Sequence, residues 1–122
     1  MEHISTPNAP AAIGPYSQGV EANGFVYTSG QIPVDPQSGT IPEGIAAQAE
    51  RSCRNVGAVL EAAGCTFENV VKTTCFLADM ADFAEFNGVY EKFFVSKPAR
   101  SCVAAKALPK GVLCEIEAIA IK

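Results

Sequence analysis

The sequence predicts an α+β domain, a single mixed sheet of ββαβαββ order with two helices on one face. Three observations carry that reading. Asn23-Gly24 sits between two short β-type runs, the strongest local signature of a hairpin, because a type I′ turn needs positive φ at both central positions. Two stretches, 45–63 and 82–94, repeat apolar residues every three and four positions, as amphipathic helices do. Between them lies Val-Val-Lys-Thr-Thr-Cys-Phe-Leu-Ala at 70–78, a β-branched run apolar enough for a central strand. Two helices and a set of strands of these lengths pack most simply as two layers.

The elements follow in order. Pro7, Pro10 and Pro15, with Gly14 and Gly19, make the N-terminal segment extended and turn-rich. Residues 18–22 and 25–29 form the hairpin, the second strand running out at Ser29-Gly30-Gln31-Ile32-Pro33. Pro36, Gly39, Pro42 and Gly44 mark 34–44 as a loop. The first helix begins at Glu43 or Ile45 and runs to Ala63, with Ile45, Ala49, Cys53, Val56, Val59 and Leu60 inward. Gln48, Glu50, Arg51, Arg54 and Glu61 are its polar complement, and Gly64 ends it as a C′ glycine. Asp79 is a plausible N-cap ahead of the second helix, 82–94, whose stripe of Phe83, Phe86, Val89, Tyr90 and Phe93 reads as packing on the sheet. Pro98 cannot continue that helix, so 95–97 is a short exit loop. Segments 101–107 and 112–121, joined across Leu108-Pro109-Lys110-Gly111, close the chain.

A chain of 122 residues is one domain, 1–122, with 48% hydrophobic and 18% charged residues, and it buries a core without staples. A net charge of −4 with nine scattered Lys and Arg argues against a nucleic-acid face. No apolar run could span a bilayer and no signal peptide is visible. The five cysteines are far apart and include no C-x-x-C pair, so reduced, buried thiols in a cytoplasmic protein are expected. Zinc is not expected, because the single histidine, His3, lies near the terminus and away from any cysteine in sequence. A sheet covered on one side leaves Leu113, Ile119 and Ile121 bare, which predicts that sheet faces meet between subunits of a closed assembly.

The chemistry-bearing stretch is Pro98-Ala99-Arg100-Ser101-Cys102-Val103 with the strand around Glu115 and Glu117. Alternation puts both acids on one face beside apolar neighbours, which favours a raised pKa and proton handling near neutral pH. A trial hairpin register, Ala107 opposite Val112, puts Arg100 on that face too, with Glu117 the nearer acid and Glu115 roughly 13 Å along the strand. Ser29-Gly30 at a strand end could present a hydroxyl and open backbone N–H groups, or be an ordinary turn. Tyr16 is either a core aromatic or a ligand wall.

The runs Ile13-Gly14-Pro15-Tyr16-Ser17-Gln18-Gly19, Thr28-Ser29-Gly30-Gln31-Ile32-Pro33, Asn87-Gly88-Val89-Tyr90, Pro98-Ala99-Arg100-Ser101-Cys102-Val103, Leu108-Pro109-Lys110 and Ile116-Glu117-Ala118-Ile119-Ala120, matched in that order, resemble the RidA/YjgF/UK114 family of reactive-intermediate deaminases. The resemblance runs from about residue 7 to the C-terminus. It implies a chorismate-mutase-like fold, a homotrimer with sites between subunits, and no cofactor. The implied activity is hydrolysis of 2-imino and enamine acids, such as 2-iminopropanoate and 2-iminobutanoate, to 2-oxo acids and ammonia.

By position, Arg100 corresponds to the family's carboxylate clamp and Glu115 to the acid that positions water. Ser29, Gly30 and Cys102 correspond to ligand contacts, and Tyr16 to an aromatic wall from across the interface. Glu117 stays a supporting candidate, favoured by the trial register but not by the family pattern. The loop before Pro98 is shorter than in many members. Two other readings stand beside the deaminase: a non-catalytic trimer that binds small carboxylates, and a ribonuclease or translation inhibitor, which the acidic charge and lone histidine disfavour.

Overall fold

In the computed structural model, which describes residues 1–122, six strands form one sheet and two helices cover one of its faces. The strands are β1 (Glu2–Ile4), β2 (Gly19–Ala22), β3 (Phe25–Thr28), β4 (Val70–Leu77), β5 (Ala99–Ala104) and β6 (Cys114–Ile121), with α1 (Ile45–Ala62) after β3 and α2 (Phe83–Phe93) after β4. Their order across the sheet is β1-β2-β3-β6-β4-β5. β4 and β5 are parallel and the other pairs antiparallel, so the expected mixed α+β sheet is present.

Local signals behave as their chemistry requires. Asn23 and Gly24 turn with φ of 53° and 81°, and Ala22 faces Phe25 across the turn. Gly64, at φ 83°, ends α1: its N–H reaches the Glu61 carbonyl and the Cys65 N–H the Leu60 carbonyl. These two bonds satisfy carbonyls the helix would otherwise leave open. Asp79 caps a 3₁₀ turn at Met80–Asp82 and not α2 itself. The aromatic stripe of α2 divides: Phe86 and Tyr90 are buried, whereas Phe83 is exposed. Cutting Phe86 to Ala would cost about 3–5 kcal/mol.

Two readings of the sequence are corrected. The N-terminal segment contains a strand, β1, which pairs Ile4 with Gly19. More consequentially, β5 and β6 do not form a hairpin. The crossovers β3-α1-β4 and β4-α2-β5 lay three strands parallel to one another, and the first leaves a gap between β3 and β4. β6 fills that gap, antiparallel to both neighbours. Ala105 therefore bonds to Leu77 at the end of β4, and Ala78 to Leu113, as the connection passes over the end of β4.

Thr73, Cys75 and Leu77 of β4 and Cys114, Ile116, Ala118 and Ala120 of β6 are buried beneath the helices. The other face has no helix. Tyr27, Val103 and Ile121 are 42–48% exposed there, beside the partly covered Phe25, Phe76 and Ile119. Buried polar groups of α1 fasten the loops. Asn55 donates to the carbonyls of Ile32 and Val34, and Gln48, counted among the solvent-facing residues by its polarity, bonds Pro42 and Leu113.

Candidate active site

Arg100 lies on β5, the sheet's edge strand, directly beside Thr73. That register turns its side chain to the helix-covered face. There its Nη1 donates to Asn87 Oδ1 at 2.8 Å, and its Cζ sits 4.8 Å from the centre of the Tyr90 ring and 5.4 Å from that of Phe83. An open cleft of about 570 Å³ borders the group, lined by Asn87, Tyr90, Lys97 and Pro98 as well as Arg100. The short loop 95–97 is a tight turn: Lys97 takes φ 51° and the Ser96 hydroxyl donates to the Val70 carbonyl at 2.7 Å. Cys102 neighbours Cys75 on the same face, and burial raises its thiol pKa above the ordinary cysteine value.

Glu115 and Glu117 do share a face, but it is the other one. Glu115 lies beside Phe76 and Glu117 beside Thr74, both half-buried among apolar neighbours. Glu117 is one row from Arg100 and Glu115 three rows, each two strands away. At strand spacings of about 4.8 Å and rises of about 3.3 Å, the Glu115 and Arg100 backbones stand ~14 Å apart. The trial register that joined them on one surface fails because β4 intervenes. Burial pushes the Glu115 carboxyl above the usual glutamate value, and the Glu117 charge acts in the same direction.

The wall around Glu115 comes from the β3 exit. The chain leaves β3 at Ser29-Gly30 and rejoins β6 at Gln31, which exchanges both backbone hydrogen bonds with Ile116. A Cβ on Gly30 would land on the Glu115 carboxyl, so only glycine lets backbone and acid come this close. Ser29 ties down the N-terminal segment, its N–H bonding the Gln18 carbonyl and its hydroxyl the Ser17 carbonyl. Tyr16 is 53% exposed, which excludes a core aromatic. With Gly30, Ile13, Ile32, Pro109 and Lys110 it borders an open cleft of about 490 Å³.

One chain thus carries two separate clusters, Arg100 with Cys102 on one face and Glu115 with Gly30, Ser29 and Tyr16 on the other. Gln18, which the sequence marks only as part of a motif and the start of a strand, is buried, and its amide bonds Thr6, Ala9 and Pro10 and shapes the loop leading to Tyr16. Its signal was an amide directly ahead of a β-strand. Asn87 stands out in the sequence only as part of a motif. No three His, Cys, Asp or Glu side chains gather as a metal-binding cluster, and no helix is long and apolar enough to cross a membrane.

A cation stacked on aromatic rings and a half-buried carboxyl whose pKa burial raises are groups of the kind that hold small carboxylates and handle protons. Comparison with known proteins gives the family. Residues 6–122 match the family model described as Endoribonuclease L-PSP, and the chain belongs to this family, also called RidA/YjgF. It is 54% identical over 123 residues, covering 98% of this chain and 96% of the relative, to the 2-iminobutanoate/2-iminopropanoate deaminase of Salmonella typhimurium. Two solved structures from Escherichia coli superpose with a TM-score of 0.97, each covering 100% of this chain and 99% of its own. They are the YjgF gene product, 52% identical, and TdcF with bound serine, 48% identical.

Proposed function

We propose that this protein is a 2-iminobutanoate/2-iminopropanoate deaminase, hydrolysing reactive 2-imino and enamine acids to 2-oxo acids and ammonia. The observation that carries the reading at residue level is the guanidinium of Arg100, held beside an open cleft with only one hydrogen bond of its own. A planar guanidinium grips a carboxylate through two parallel N–H groups, a geometry that lysine does not reproduce. Full-length identity above half to a relative of that activity supports the chemistry. The serine bound to TdcF is a ligand of the right class, a small amino acid with a free carboxylate.

The substrate already contains the C=N bond, so no Schiff-base lysine or cofactor is called for. Arg100 fixes the carboxylate and so presents the imine carbon in one orientation. Glu115 accepts a hydrogen bond from water and directs it to that carbon. The water proton passes to nitrogen, the C–N bond breaks, and ammonia leaves as the carbonyl forms. Ser29, Gly30 and the Cys102 backbone line the ligand, and Tyr16 closes one side.

Arg100 and Glu115 are on opposite faces of the sheet in one chain, so the complete site is assembled from two copies: the β5 edge of one against the bare face of the next. The exposed apolar residues of that face support its burial in a closed homotrimer. Five unpaired thiols support a reducing, cytoplasmic location. The name of the family model raises RNA cleavage as a second reading. Against it, the only histidine, His3, bonds Ser17 on an exposed surface, and no second histidine exists for acid–base work.

The test supplies imine in situ from a threonine dehydratase and measures trapping by semicarbazide. Wild type is expected to suppress the semicarbazone and Arg100→Ala is not; equal suppression by both ends the clamp reading. A binding-only protein would tolerate Glu115→Gln without loss of effect. RNA cleavage persisting in both variants, free of contaminant, would favour the ribonuclease.

A further inference from the structure

We propose that one face of α2 is the positioning device of the arginine: Phe83, Asn87 and Tyr90, the last fastened to β4 by Thr73, fix the Arg100 guanidinium before substrate arrives. The inference rests on the reading of Arg100 as the carboxylate clamp. Arginine carries about 2 kcal/mol of rotamer entropy, and one on an edge strand would otherwise lose much of that freedom when it binds a ligand.

The three α2 residues stand at i, i+4 and i+7, which aligns them on one side of a helix. Asn87 takes one N–H of Nη1, and the rings of Phe83 and Tyr90 meet the cation within the ~6 Å at which stacking attracts it. Tyr90 is itself buried and held on several sides. Its hydroxyl and the Thr73 hydroxyl are 2.7 Å apart in a buried pair, and its ring stacks on Phe94 at 4.4 Å and on Phe86 at 5.9 Å. Thr73 is also the residue directly beside Arg100 on β4. A closed circuit results: backbone from Arg100 to Thr73, hydroxyl contact to Tyr90, ring face back to the guanidinium.

The chemistry of position 87 sharpens the point. Asn87 accepts from the guanidinium as a neutral group, so the positive charge is left for the substrate. Four of the five N–H groups of Arg100 remain. An aspartate there would hold the same geometry and cancel the charge. This gives the Asn87-Gly88-Val89-Tyr90 motif a role, and Phe83, the exposed member of the aromatic stripe, a reason to be aromatic.

The experiment compares full-length Tyr90→Leu, Tyr90→Phe, Asn87→Ala, Asn87→Asp and Arg100→Ala in the imine assay, with butanoate, a carboxylate that has no carbonyl for semicarbazide to trap, as a non-reacting competitor. For Tyr90→Leu and Asn87→Ala, KM and the inhibition constant of butanoate are expected to rise together about tenfold, with kcat within about twofold of wild type. Tyr90→Phe keeps the ring and restores most of the affinity. Asn87→Asp weakens binding at least as much as Asn87→Ala although it can accept the same bond. Should Tyr90→Leu fail to fold, the Asn87 pair at the partly exposed position decides. A fall in kcat with KM and inhibition constant unmoved would reduce these residues to scaffolding and overturn the proposal. If Arg100→Ala itself leaves both constants unchanged, the clamp reading fails, a result distinct from failure of the α2 variants alone.

Discussion

The two clusters of the proposed site are held in place by opposite means. Around Arg100, side chains do the holding: a long flexible cation is stacked on rings and hydrogen-bonded to α2, all within one chain. Around Glu115, the backbone does it: the chain passes so close at Gly30 that no side chain fits. The first cluster is organised by the monomer's core, because Tyr90 belongs to that core. The second lies on a sheet face that has no cover of its own. On the proposed reading, a grip on substrate is built by folding alone, whereas completing the reaction centre needs a second copy.

The sharpest way to break that contrast is at the arginine. Arg100→Ala removes a pair of charge-assisted hydrogen bonds and is expected to lower kcat/KM roughly 10²–10⁴-fold, and Arg100→Lys to recover little of it. Glu115→Gln should lower kcat about 10²-fold, the lower end of the range for a lost acid–base group. It should also abolish the acid limb of the kcat profile, whose wild-type midpoint is expected above the ordinary glutamate value because Glu115 must be ionised to direct water. Gly30→Ala displaces that carboxylate without removing it, and a loss of about tenfold to 10²-fold in kcat is expected. If the clusters meet only between copies, mixed trimers of Arg100→Ala and Glu115→Gln chains regain activity that neither has alone. Random mixing leaves about one quarter of interfaces intact, and activity near that level is the expected result. No recovery would put both groups in one chain's site.

The smallest effect is on stability. Because burial raises the Glu115 pKa, the folded state holds this proton more tightly than the unfolded chain does. Its contribution is then complete below the unfolded value and is lost as pH rises through the folded one. Glu115→Gln should melt with wild type near pH 4 and higher than wild type near pH 7, by no more than a few degrees.

What the sequence made legible follows from how far each signal reaches. The Asn23-Gly24 turn, the Gly64 helix stop and the periodicity of α1 and α2 are local chemistry, and each appears where residue type demanded it. The proposed site residues come from ordered motifs, and the structure sets Gly30 against the Glu115 carboxyl and Tyr16 on the same cleft as Gly30. β1 escaped notice because three residues carry no period and depend on pairing with β2. The pairing of β5 with β6 misled because sequence neighbours are the natural partners in a short antiparallel link. Only the parallel crossovers, which span dozens of residues, open the gap into which β6 goes. That one displacement moved Arg100 and Glu115 to opposite faces. Polarity likewise misplaced Gln48, since an amide with two backbone partners can be buried at little cost.

The placement of β6 also has a consequence in time. The centre of the sheet is residues 114–121, synthesised after the other five strands, and both β3 and β4 lack an inner neighbour until they emerge. A nascent chain released as far as residue 105 therefore presents two unpaired inner edges, those of β3 and β4, and is exposed to misassociation until β6 zips in between them. Deleting 114–121 should leave a chain that never acquires the fold, and the pairing of distant segments should make refolding slow for a domain of this size.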